Sequence, residues 1–174
     1  PGGWGMGSLG QPAYDFLQFL QAAGQHVWQI LPVGPTGCAN SPYQSPSAFA
    51  GSPDLIDMDL LIADGLLQKA DCAALRWGRN QNRVDYALVQ ANHALLLQKA
   101  YAVWKVRRPV PGCDTHRDEE FNAFLCRTKD WLEDYALFMA VKGKFNLAGW
   151  TQWPDEDILL HKPDAVEKYG RELK

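Results

Sequence analysis

The sequence predicts an α/β protein, and three observations predict it. A helical pattern feeds directly into a short β-prone run, a long Gly-, Pro- and Ser-rich loop leaves the end of that run, and helical patterns fill the remainder. One strand can neither make a sheet nor close a barrel. Strand content this low, beside a loop this elaborate, marks the chain as a piece of a larger α/β protein. A mostly helical independent domain would show similar patterns.

Residues 12–23 predict the first helix. Pro12 suits the first turn, Ala13, Phe16, Leu17 and Leu20 share one face, and Gly24 is placed to end it. Val27-Trp28-Gln29-Ile30-Leu31, closed by Pro32, predicts a buried strand. Residues 34–53 carry too little periodicity for a regular element, and loops of that length in compact domains are usually functional or disordered. Tyr43 and Phe49 argue against disorder.

Apolar character returns over 55–67, with Leu55, Ile56, Leu60 and Leu61 as expected core, and Asp71 can cap a short helix. Residues 84–106 predict a helix with Val84, Leu88, Ala91 and Leu95 on its inner face. A break is expected over 109–115. Phe121, Leu125, Thr128, Leu132, Tyr135 and Met139 then advance in steps of four and three, predicting one long amphipathic helix over 118–141 with Gly143 near its end. The 150–154 segment reads as an aromatic turn, and the final stretch as polar and helical.

Composition narrows the function classes. Of 174 residues 47% are hydrophobic, and the formal net charge is −3 with Lys and Arg scattered. No basic stripe for nucleic acid or an anionic membrane arises, and no apolar run approaches a bilayer span. No secretory signal pattern is present, although the chain opens at Pro1, so a preceding segment stays open. Cys38, Cys72, Cys113 and Cys126 show neither zinc nor redox spacing and are read as reduced. His26, His93, His116 and His161 lie too far apart for a metal motif. The Gly-rich segments lack both the Rossmann and the P-loop patterns.

The most specific residues fall in the first third. Trp28-Gln29-Ile30-Leu31-Pro32-Val33-Gly34-Pro35-Thr36-Gly37 runs into Ser41-Pro42-Tyr43-Gln44-Ser45, then Ser47-Ala48-Phe49-Ala50-Gly51 and Leu55-Ile56-Asp57. This ordered series resembles the start of the amylomaltase (disproportionating enzyme) family of 4-α-glucanotransferases. Leu132-Glu133-Asp134-Tyr135-Ala136-Leu137-Phe138 and the 150–154 segment are similar to later landmarks of that family.

The resemblance implies the N-terminal part of a (β/α)8 TIM barrel with an inserted, mainly helical subdomain. Residues 1–70 would be the first βα segment with the substrate-site loop, 71–149 the insertion, and 150–174 the return toward the barrel. It implies a cytoplasmic transferase of α-1,4-glucan segments between maltodextrin chains, needing no metal or organic cofactor. Barrel enzymes place their sites on loops at the C-terminal ends of strands, where the 34–53 loop falls. The family works by retention: a carboxylate attacks the anomeric carbon, a carboxylic acid protonates the leaving oxygen, and a sugar hydroxyl resolves the glycosyl-enzyme.

The family's nucleophile segment Arg-x-Asp-His and acid/base segment Glu-Asp-Leu-Gly do not occur here. No catalytic residue is assigned, and the chain by itself is expected to be inactive. Asp118-Glu119-Glu120 reads as charge at a helix start, and Asp155-Glu156-Asp157 as solvated surface.

Substrate contacts are assigned by motif match to Tyr43 and Ser41 at the donor sugar, with Gln44 as a lesser candidate. A tyrosine ring offers an apolar face to a pyranose and a hydroxyl for hydrogen bonding; without the motif match, core packing or loop anchoring is the better reading of such a residue. Asp57 is read as a cap or brace. Relatives often carry Tyr-Gly-Asp where this chain has Cys38-Ala39-Asn40, so a stacking surface for longer glucans is missing. Trp77, Trp104, Trp131, Trp150 and Trp153 could be sugar platforms but read better as packing. Two other readings compete: a non-catalytic glucan-binding remnant, and a helical interaction domain.

Overall fold

The computed structural model describes residues 3–80, 82–107 and 115–173, with the side chains of Cys38 and residues 115–118 set aside. Cys113, residues 109–114 of the break expected over 109–115, and the side chains of His116 and Asp118 therefore lie outside the described residues. The chain divides into two compact units, Pro1–Pro111 and Gly112–Lys174.

The first unit begins with α1, Gln11–Ala22, with Pro12 in its first turn as expected. Its apolar stripe forms but stays uncovered, with Phe16 40% and Leu17 46% exposed. The segment expected as a strand is extended and unpaired instead, and no strand occurs among the described residues. The α/β reading is corrected to that extent. A strand is completed by a neighbour's hydrogen bonds and a covered face. Val27–Leu31 has neither here, and Val27 is 84% and Leu31 62% exposed.

Beyond the loop come α2, Met58–Ala63, α3, Lys69–Ala73, and α4, Tyr86–Arg107. They surround a core of Met58, Leu67, Cys72, Leu96 and Ala100, with Trp4, Leu61 and Trp77 packed against it. Leu61 therefore packs as expected, while Ile56 and Leu60 remain 40% exposed and Met58 and Leu67 take the central places.

Helix α4 forms where predicted, but its buried stripe is Val89, Asn92, His93, Leu96 and Ala100. That is one residue round from the expected Leu88, Ala91 and Leu95, and Leu95 is 56% exposed. The shift has a physical reason: Asn92 occupies the core by donating to the Arg76 carbonyl at 2.7 Å, so a polar residue lies on the inner face. Asp71 accepts from the Gln68 backbone N–H at 3.0 Å and so closes the first turn of α3.

In the second unit the single long helix is corrected to two, α5, Thr115–Thr128, and α6, Leu132–Lys144. The Trp131 N–H turns back to the Thr128 carbonyl, and Trp131 itself leaves helical geometry at φ −141°. A turn at Trp150–Gln152 leads to α7, Glu156–Leu159, and α8, Pro163–Glu172. Their core is Val141, Trp153, Ile158, Ala165 and Tyr169. Asp155 is no solvated acid. It accepts from the Asp157 N–H at 3.1 Å and from the Tyr169 hydroxyl at 2.9 Å, joining α7 to α8.

Of the tryptophans, Trp77 and Trp153 are packing residues, their indoles donating to the Cys72 and Ala148 carbonyls. Trp104 stacks on Tyr101, and Trp131 meets Tyr135. Trp150 is 52% exposed. Cys72 and Cys126 are free thiols, and burial pushes the Cys72 thiol above its ordinary pKa. Among the described residues no helix is long and apolar enough to cross a membrane, and none of their His, Cys, Asp and Glu side chains gather as a metal site.

Candidate functional site

The 34–53 loop is held by short polar bonds along its length. At its base the Ser52 N–H donates to the Val33 carbonyl at 2.8 Å. In the middle, Ala39 and Asn40 both lie in the left-handed region, at φ 60° and 56°. Next comes the turn that carries the predicted residues. The Ser41 hydroxyl oxygen accepts from the Tyr43 N–H at 3.3 Å, and the Ser41 carbonyl accepts from the Gln44 N–H at 3.2 Å. Gly37 lies against this turn so closely that a Cβ there would stand 2.2 Å from the Gln44 carbonyl oxygen, which explains the glycine.

The turn presents Tyr43 outward, 74% exposed, with Gln44 also exposed and Ser41 half-buried beneath. Ser41 is thus spent on shaping the turn, and Tyr43 is the side chain the turn displays. Beside the loop base lies an apolar groove of about 370 Å³, lined by Leu9, Val33, Leu55, Ile56 and Leu60 among others. Asp57 caps α2, its carboxylate accepting from the Leu60 N–H at 2.9 Å and from the Ser8 hydroxyl. It braces the chain just beyond the loop, as expected.

Three residues around the loop, Gln90, Asp54 and His93, have no counterpart in the sequence-based site. Gln90 on α4 donates from Nε2 to Asn40 Oδ1 at 3.1 Å and to Asp54 Oδ2 at 3.3 Å. Two turns of helix do not advertise such a role, since the partners lie 50 and 36 residues away in sequence. The third is His93, 3% exposed, with neither ring nitrogen in a hydrogen bond and Trp77 edge-on to its ring. Burial pulls its pKa below the ordinary histidine value, against the opposing pull of the Pro53 carbonyl and the Asp54 carboxylate. A separate hollow of about 220 Å³ in the second unit is lined by Phe138, Val141, Trp150 and Trp153, with Asp134 and His161 at 3.8 Å from each other.

A whole-length match accompanies this geometry. The sequence profile of the 4-alpha-glucanotransferase family matches residues 1–174. The chain belongs to that family. It is 44% identical over 174 residues to a 4-alpha-glucanotransferase of Clostridium butyricum and 46% identical over 174 residues to that of Thermus thermophilus. The amylomaltase of Streptococcus agalactiae, solved in complex with acarbose, superposes with a TM-score of 0.86 at 34% identity over 99% of the chain. The chain spans about a third of the length of these relatives: 34%, 32% and 33% respectively.

Proposed function

We propose that the protein carrying this chain is a 4-alpha-glucanotransferase that passes α-1,4-glucan segments between maltodextrin chains by a retaining double displacement. Membership of the family along all 174 residues carries this reading. Within it, residues 1–70 form the opening of a (β/α)8 barrel, 71–149 an inserted helical subdomain, and 150–174 the return toward the barrel. Val27–Leu31 becomes a barrel strand once neighbours supply its ladder; the exposure of its apolar side chains supports this. A cytoplasmic setting belongs to the same proposal and is supported by the free thiols of Cys72 and Cys126.

In this reading the 34–53 loop shapes the donor-sugar site. Tyr43 lays its ring against a pyranose and turns its hydroxyl toward the ring where positive charge develops. Ser41 holds the turn, and Gln44 adjoins the sugar. Attack and protonation fall to carboxylates that this chain does not contain. The acarbose bound to the Streptococcus agalactiae relative supports a glucan as ligand.

The test is product analysis with maltotriose. The protein carrying this chain releases glucose and forms longer maltodextrins, whereas the 174-residue chain alone does neither. Tyr43→Ala lowers kcat/KM by about tenfold to a thousandfold. An unchanged value returns Tyr43 to loop anchoring, and absence of longer products from the unsubstituted protein refutes the transferase reading.

A further inference from the structure

The loop that displays Tyr43 contains a costly segment. Ala39 and Asn40, at φ 60° and 56°, are consecutive non-glycine residues in left-handed backbone, a conformation that costs an alanine about 1–2 kcal/mol and an asparagine less. Such geometry persists only where surrounding structure over-determines it. The Asn40 N–H bond to the Gly37 carbonyl, at 3.3 Å, is long and local. The other hydrogen bond at Asn40 comes from outside the loop. Gln90 Nε2 carries two N–H groups and aims one at Asn40 Oδ1 and one at Asp54 Oδ2.

The second acceptor is itself fixed. Asp54 lies in the Pro53–Leu55 turn, its N–H donating to the Ser52 hydroxyl oxygen at 3.3 Å, and that turn packs against α4. Gln90 therefore joins the strained middle of the loop to its anchored end. The chemistry requires a carboxamide at this point: both partners are acceptors, so position 90 must donate twice, and a carboxylate there would face Asp54 with like charge.

We propose that Gln90 is a positioning residue, which from α4 holds Asn40, and through it the Ser41–Tyr43 turn, in the form that displays Tyr43. The assignment rests on the donor-site reading of Tyr43 given above, and the experiment separates the two. The readouts, on the protein carrying this chain, are hydrogen exchange over residues 38–46 without sugar and steady-state kinetics with maltotriose.

Gln90→Leu raises exchange over 38–46 by about tenfold, the effect of losing one or two hydrogen bonds, while exchange in α2 and α3 stays unchanged. Gln90→Glu alone does at least as much. Combined with Asp54→Asn it restores protection, because donor and acceptor exchange places and the Asn40 carboxamide rotates to donate. In kinetics, both single variants raise KM for maltotriose severalfold, and the double variant recovers it. Unchanged exchange over 38–46 in the single variants overturns the proposal. So does an increase spread through the whole unit, or a double variant that recovers nothing. Transfer with unaltered KM and kcat in the single variants overturns it as well. If exchange responds and recovers but the unsubstituted protein transfers no glucan, the brace stands and the transferase reading falls.

Discussion

Asp57→Ala is expected to destabilise the first unit by about 2–3 kcal/mol, a figure that follows from two bonds. The first is the N-cap of α2, where Asp57 accepts from the Leu60 N–H at 2.9 Å; such caps contribute about 1 kcal/mol. The cap matters more than usual because α2 has only 6 residues and could not persist alone. The second is the bond from the Ser8 hydroxyl to the same carboxylate, and bonds to charged groups contribute about 1.5–3 kcal/mol. Removing a carboxylate that is only 8% exposed also relieves some desolvation, which keeps the total near the lower half of the sum. The pocket cannot repack around a larger neighbour, since even a Cβ on Gly10 would stand 2.0 Å from Asp57 Oδ2. Native-state hydrogen exchange at the α2 amides measures the effect directly. A loss of 2–3 kcal/mol accelerates exchange there by about 30- to 150-fold. Asp57→Asn keeps a good capping oxygen but puts an amide donor where the second oxygen accepts from the Ser8 hydroxyl, so it should fall about halfway. Acceleration of less than about threefold by Asp57→Ala would refute the bond accounting.

Three further outcomes are expected. His93→Leu should change neutral-pH stability by no more than about 1 kcal/mol either way, because the buried ring makes no well-formed hydrogen bond and only leans on the Pro53 carbonyl. The folded-state pKa of His93 lies below the ordinary 6.5, so the unfolded chain binds the proton first and stability falls as pH drops below about 6.5; urea melts at mildly acid and alkaline pH should show that slope reduced in the variant. Tyr169→Phe should cost about 1–2 kcal/mol through the lost bond to Asp155. Burial, with Asp155 behind it, pushes the Tyr169 phenol up to about 12, so the native state keeps a proton that the unfolded state loses near 10. Stability then falls as pH rises through that interval, and an ultraviolet titration of the variant should lack the late phenol. Finally, the isolated chain should self-associate with concentration through Val27 and Leu31, 84% and 62% exposed. Sedimentation should show Val27→Lys with Leu31→Lys shifting it toward monomer, and a monodisperse unsubstituted monomer would contradict this.

Local signals were legible, and distant ones were not. Pro12 and Asp71 announced the helix starts they serve, because capping acts within one turn. The face of α4 was misjudged because Asn92 and His93 interrupt its apolar stripe. A rule that sends polar side chains outward cannot foresee that the Arg76 carbonyl waits inside for Asn92. Residues 118–141 keep a helical period across a turn because the break lies in the backbone at 129–131, where no Gly or Pro marks it. Tyr43 stands in a motif that proposes a site, whereas the Gln90 bridge is invisible in sequence: its partners come from the far side of two connections, and a lone glutamine on a helix carries no signal of its own.

The contrast between the 34–53 loop and the Val27–Leu31 run shows why the two were legible to different degrees. In sequence the loop's serines mark only a lack of periodicity. Each in fact bonds backbone close by: Ser41 to the Tyr43 N–H, Ser45 to the Ser47 carbonyl, Ser47 to the Phe49 and Ala50 N–H groups, and Ser52 to the Asp54 N–H. Hydroxyls that satisfy amides two or three residues on offer the backbone an alternative to helix or ladder. A shape written this way leans on few distant partners, Gln90 chief among them, and needs no apolar core beneath it. The Val27–Leu31 run is written in the opposite manner. Its β-branched and aromatic residues specify a surface to be covered and a ladder to be completed, and both belong to other segments. The 34–53 loop is thus shaped largely within itself, with Gln90 as its distant brace, whereas the Val27–Leu31 run cannot pair without other segments.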